Sequence, residues 1–97
     1  MAGDVVIVAV IGCGSIGTRH IRNLRALGHD VIGIDPDVCG ARRGCEAGAY
    51  PLFQHVANLP GVDAYAICTP AHTHAAVARQ LLDAGYRGPL FVEKPLA

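Results

Sequence analysis

Three glycines and one acid carry the first chemical signal in this chain. Gly12, Gly14 and Gly17 stand in the pattern G-x-G-x-x-G, and Asp35 follows at close to the roughly 20-residue spacing at which a carboxylate reaches the hydroxyls of a loop-bound ribose. Each type has its own task. Gly12 lets the chain reverse tightly, Gly14 removes a Cβ so that the backbone can approach a pyrophosphate, and Gly17 lets a helix pack near a strand. The N–H groups opening that helix are unpaired and lie at the positive end of its dipole, so they can hold phosphate oxygens. A carboxylate at position 35 favours NAD and repels the 2′-phosphate of NADP, a preference that Arg42 and Arg43 nearby in sequence temper. A P-loop needs a lysine after its last glycine, and Thr18 stands there instead. The glycine loop alone does not separate nicotinamide from flavin cofactors.

Lys94 is the candidate for proton chemistry. A lysine at the carboxyl end of a strand, beside a nicotinamide, can donate a proton or hydrogen bond to a substrate hydroxyl or carbonyl, help that hydride transfer needs because the hydroxyl proton must leave as the hydride departs. A neighbouring cofactor charge and partial burial would both lower its pKa. From spacing alone this role and that of a surface lysine in the turn before Pro95 stand level. His72 and His74 fall at the mouth of the same crevice, where they contact substrate or, with at least equal support, pack the start of a helix. His20 is expected to be a packed core histidine, and His29 and His55 turn residues. Cys13, Cys39, Cys45 and Cys68 show no C-x-x-C spacing and are expected to be reduced thiols, with no metal site. Cys13 and Cys68 fall near the cofactor loop, so sensitivity to alkylation is expected there.

The elements that must position these groups follow from the apolar pattern. The runs Val5 to Ile11, Val31 to Ile34, Tyr50 to Phe53, Ala64 to Cys68 and Leu90 to Val92 read as strands. Helices are expected from Ser15 to Leu27, with Ile16, His20, Leu24 and Leu27 inward, and from Thr73 to Ala84, with Val77, Leu81 and Ala84 inward. Gly28 and Gly85 end them. Between Asp37 and Gly48 a short helix is weakened by Gly40 and Gly44, and His55 to Leu59 reads as a helical turn. Strands alternating with helices imply an α/β doubly wound parallel sheet of Rossmann type, order 3-2-1-4-5, with Gly12, Asp35, Thr69-Pro70 and Glu93-Lys94-Pro95 converging at the carboxyl ends. The 97 residues, with formal net charge +0, make one small domain and give no sign of nucleic acid or membrane as partner. A cytoplasmic protein is the expectation.

The loop Gly12-Cys13-Gly14-Ser15-Ile16-Gly17, then His20, Asp35, Thr69-Pro70-Ala71-His72-Thr73-His74 and Glu93-Lys94-Pro95, resembles the Gfo/Idh/MocA oxidoreductases over essentially the whole chain. The resemblance implies that Gly12, Gly14, Ser15, Ile16 and Gly17 hold the pyrophosphate and Asp35 the adenosine ribose. It also implies that Thr69, Pro70 and His74 line the nicotinamide side, and that Lys94 is catalytic, with Glu93 and Pro95 positioning it. NAD is the implied cofactor, and sugars, inositols or similar polyhydroxy compounds the substrates. Residues 1–97 are then expected to be an incomplete dinucleotide-binding domain, truncated after the fifth strand. It would need a C-terminal substrate domain or a partner chain, and homo-oligomers are common in the family. Without that domain the chain is expected to be inactive alone, with an exposed fifth-strand edge that favours association. The alternative is a non-catalytic NAD(H) sensor or partner-binding module, which would share every feature of the glycine loop.

Overall fold

The computed structural model describes residues 5–93. They form one five-stranded parallel sheet in the order β3-β2-β1-β4-β5, from β1 (Ile7–Ile11), β2 (Asp30–Ile34), β3 (Leu52–Phe53), β4 (Ala64–Ile67) and β5 (Leu90–Val92). The α/β class and the 3-2-1-4-5 order expected from the sequence are the ones adopted. The central strand explains its own composition. Val8 and Val10 pack with Ile21 and Val31 on one face, and Ala9 and Ile11 pack with Tyr65, Val77 and Leu81 on the other. A strand covered on both faces reads as a continuous apolar run. The strand starts at Ile7 rather than Val5; the Val6 N–H donates to His29 Nδ1 (3.2 Å) and Val5 is exposed.

Three helices flank the sheet: α1 (Ser15–Ala26), α2 (Val38–Ala47) and α3 (His74–Asp83), the last preceded by a 3-10 turn at Ala71–Thr73. The buried stripe of α1 is Gly17, Thr18 and Ile21, with Leu24 packed beside it. The expected stripe is therefore turned by one position. Gly17 must face the strand turn, and that rotation leaves Leu27 73% exposed. Val77 and Leu81 of α3 are inward as expected, but Ala84 is exposed. Gly28 (φ 91°) and Gly85 (φ 96°) end their helices in the left-handed region.

Two segments differ from expectation. The doubtful stretch after Asp35 is a ten-residue helix, α2, with the Asp37 carboxylate accepting from the Gly40 N–H at 3.2 Å. Conversely, His55–Leu59 forms no helical turn. The Leu59 N–H donates to Tyr65 Oη (2.7 Å), which in turn donates to the Ala57 carbonyl (2.8 Å). One buried tyrosine thus satisfies the backbone of this connection without a helix. At the sheet's outer edge Phe91 is 62% exposed. No helix among the described residues is long and apolar enough to cross a membrane.

Candidate functional site

A crevice of about 660 Å³ opens at the carboxyl ends of β1, β2, β4 and β5. Gly12, Gly14, Ser15, Ile16, Asp35, Thr69, Pro70, His74 and Glu93 all line it. Nine of the residues singled out in the sequence therefore meet in one place. Gly17 lies behind the loop and shapes it, and Lys94 lies outside the described residues. In a doubly wound sheet this is the switch-point crevice where ligands bind.

The loop is built by contacts that glycine alone permits. Gly12 turns out of β1 at φ 92° while its N–H donates to the Ile34 carbonyl at 2.8 Å. A Cβ on Gly17 would overlap the Gly12 carbonyl oxygen, so α1 starts in direct backbone contact with the turn. At Gly14 the situation is opposite. A Cβ there would meet no protein atom within 4 Å, and Gly14 lines the crevice. Gly14 is also the N-cap of α1, without a side chain to cap it, and the first turn holds no acid. The opening N–H groups and the positive helix end thus face the crevice uncompensated, as an anionic pyrophosphate would require. The residues present fit such a group.

Asp35 does two things. Its Oδ2 accepts from the Cys13 N–H and its Oδ1 from the Asp37 N–H, both at 2.9 Å. The carboxylate is thereby fixed at the end of β2 with lone pairs left for a ribose. It also presses on Gly40 of α2, where any Cβ would overlap it. Arg43, on the same helix, donates from Nε to the Cys13 carbonyl at 3.2 Å and lines the crevice. Sequence reasoning weighed Arg43 only against NADP discrimination. Its contact with the Cys13 carbonyl joins segments 30 residues apart, and no local signal announces it.

On the far side, His74 Nε2 lies 2.7 Å from the Thr69 carbonyl. A carbonyl only accepts, so this nitrogen carries a proton, and His74 tethers the start of α3 to the crevice wall. Thr73 Oγ1 lies 2.6 Å from both Thr69 Oγ1 and the Pro70 carbonyl. With one proton to give, Thr73 donates to Pro70 and accepts from Thr69. His72 is exposed. His20 is a correction. It is not packed in the core but reaches across to Glu93 at 2.7 Å, with its side chain 41% exposed. The helix that carries the loop is thus joined directly to the end of β5.

The thiols are also a correction. Burial first, then the Asp35 charge, pushes the Cys13 thiol up from 9.0 to about 11. Burial, then Glu93 and Cys13, pushes Cys68 up from 9.0 to about 12. Neither holds a reactive thiolate fraction near neutrality. Brief iodoacetamide treatment at pH 7.5 is expected to label the exposed Cys39 and Cys45 and to spare Cys13 and Cys68, as read by peptide mass mapping. Labelling of Cys13 as fast as Cys39 would contradict this. The folded chain holds both protons more tightly than the unfolded chain. The resulting stabilisation is complete below pH 9 and is lost as pH rises toward 11 to 12, so the melting temperature should fall over that window.

Residues 6–97 match the family model described as the Gfo/Idh/MocA oxidoreductase family, NAD-binding Rossmann fold. Inositol 2-dehydrogenase 1 of Saccharopolyspora erythraea is 35% identical over 98 aligned residues, covering 93% of this chain and 28% of that protein. Inositol 2-dehydrogenase of Ralstonia nicotianae is 36% identical with the same coverage. Among solved structures, UDP-N-acetylglucosamine 3-dehydrogenase GnnA from Acidithiobacillus ferrooxidans superposes with a TM-score of 0.76 at 31% identity, over 95% of this chain and 30% of that one. The chain spans about 28% of the length of the curated relatives it matches.

Proposed function

The chain belongs to the Gfo/Idh/MocA family of oxidoreductases with an NAD-binding Rossmann fold, and from that premise we propose that it is the cofactor-binding part of a dehydrogenase. The reaction is hydride transfer between NAD(H) and a secondary alcohol or carbonyl of a sugar, inositol or similar polyhydroxy compound. The observation that carries this reading is the crevice in which the glycine loop, Asp35, Thr69-Pro70 and Glu93 come together. The names of the relatives, two inositol 2-dehydrogenases and a UDP-N-acetylglucosamine 3-dehydrogenase, support a ring hydroxyl as the reacting group.

The chain's own residues divide the work. Backbone N–H groups of the Gly14-Ser15-Ile16-Gly17 turn hold the pyrophosphate, and Asp35 holds the adenosine ribose through its remaining lone pairs. Thr69, Pro70 and His74 form the wall on the nicotinamide side. Bound NAD supplies the hydride acceptor. Lys94 takes up the hydroxyl proton, and Glu93, held by His20, fixes the strand end from which Lys94 follows in sequence. The rest of the substrate site is supplied by a C-terminal domain or a partner chain.

The experiment is a titration of the chain with NADH and with NADPH, following the emission of the reduced nicotinamide. The chain has no tryptophan, so that signal is uncontaminated. Saturable binding with NADH at least about tenfold tighter is expected, since a 2′-phosphate would meet the Asp35 carboxylate. Equal or tighter NADPH binding would overturn the role of Asp35, and binding of neither would overturn the cofactor reading.

A further inference from the structure

The Cys13 peptide, between the first two glycines of the loop, is gripped on both sides. Asp35 Oδ2 accepts from its N–H at 2.9 Å, and Arg43 Nε donates to its carbonyl at 3.2 Å. The two side chains come from different elements, the end of β2 and the body of α2. What brings them together is the glycine face of α2. Gly40 leaves room for the Asp35 carboxylate, and at Gly44 a Cβ would stand 2.9 Å from Cys13 Sγ. The helix therefore docks directly on the loop, and Arg43, one residue before Gly44, is delivered to the Cys13 carbonyl.

We propose that Arg43 is a positioning residue for the cofactor loop, and that α2 acts as a brace which holds the Cys13 peptide in place before the cofactor arrives. The proposal rests on the dinucleotide reading for its consequence in binding, but not for the brace itself. The Cys13 N–H lies in the Gly12–Cys13 peptide and its carbonyl in the Cys13–Gly14 peptide, so the two bonds hold two successive peptide planes. With Cys13 gripped at both N–H and C=O, the peptide leading into Gly14 is held, and so is the opening of α1 that faces the crevice. Preorganised donors bind an anion without having to order the loop first. Arg suits the task because its Nε can donate to the Cys13 carbonyl while the guanidinium keeps further N–H donors, and Arg43 lines the crevice.

The test compares the wild-type chain with Arg43→Gln and Arg43→Lys, all three unliganded and then titrated with NADH. Arg43 is exposed, so the variants should keep the wild-type melting temperature within a few degrees. In the unliganded Arg43→Gln chain, amide resonances of residues 12–17 are expected to shift or broaden, while those of β4 and α3 stay in place. NADH affinity should fall about 3- to 10-fold, the effect of losing one such hydrogen bond. Arg43→Lys should recover part of both effects, because an ammonium can reach the same carbonyl without the planar fork. A loss of affinity with unmoved loop amides would mean that Arg43 touches the cofactor itself, and would overturn the brace. So would unchanged affinity in Arg43→Gln. If the wild-type chain binds no NADH, the function proposed above fails while the loop amides still decide the brace: moved amides support it and unmoved amides overturn it.

Discussion

Gly17→Ala is expected to lower the stability of the chain by about 2–4 kcal/mol, or very roughly 10–25 °C in melting temperature for a domain of this size. Alanine is the better helix former, by about 0.8–1.0 kcal/mol at a mid-helix position. That gain is outweighed because the added methyl would overlap the Gly12 carbonyl oxygen, and the obstacle is backbone rather than a flexible side chain. Gly12 cannot yield easily. Its N–H is bonded to Ile34 at 2.8 Å, and its φ of 92° already confines it. Gly14→Ala is the informative companion. Its φ of −80° suits any residue, and nothing in the protein lies within 4 Å of the new methyl. The fold should therefore survive, with the melt lowered only by the few degrees that alanine costs at an N-cap, while NADH binding weakens by tenfold or more, because a methyl on this backbone would keep a pyrophosphate from its close approach. Thermal melts and NADH titrations of the two variants separate the two tasks. A Gly14→Ala chain that binds NADH normally would show that the cofactor does not approach this backbone. A Gly17→Ala chain with a wild-type melt would show that the contact with Gly12 is not structural.

The same contrast explains what could be read from the sequence. The sheet order and the crevice were legible because they follow from local signals: an apolar run buried on both faces, a glycine turn, an acid at the next strand end. Contacts between distant segments were not. Gly40 and Gly44 argued against a helix on propensity, yet they are why α2 can sit there, one yielding to the Asp35 carboxylate and the other to Cys13 Sγ. Their value lies in tertiary packing, which propensity does not contain. His20 has the helical phase of a core residue, but its partner Glu93 is 73 positions away, and nothing local announces the pair. The connection at residues 55–59 has apolar spacing that suits a helical turn. Its backbone is instead satisfied by Tyr65, a residue further along the chain.

Replacing Lys94 is expected to separate catalysis from cofactor binding. Turnover is measured in a chimaera that joins residues 1–97 to the remaining domain of a curated relative, since the chain alone spans about 28% of such a protein. Lys94→Ala should reduce kcat by about 10²- to 10⁴-fold, the usual contribution of a positioned acid–base group, while the NADH affinity of the isolated chain changes by less than about 2- to 3-fold. The second expectation follows from the proposed division of labour. The pyrophosphate is held by backbone N–H groups and the ribose by Asp35, so removing the lysine takes nothing from either. The pH–rate profile gives an independent check, because the limb that reports the base in the wild-type chimaera should disappear in the variant. A chimaera in which Lys94→Ala turns over as fast as wild type would remove the lysine from the reaction, whereas a wild-type chimaera without turnover would favour an NAD(H) sensor. A parallel loss of NADH affinity would instead place Lys94 among the groups that hold the cofactor, and the proton would need another acceptor. Among the described residues the histidine nearest to that role is His74. Its Nε2 is already committed to the Thr69 carbonyl at 2.7 Å, which leaves only Nδ1 for a substrate proton. The acid–base role is assigned to Lys94 because it stands in the Glu93-Lys94-Pro95 motif that follows β5, and His74 is the next candidate within the crevice.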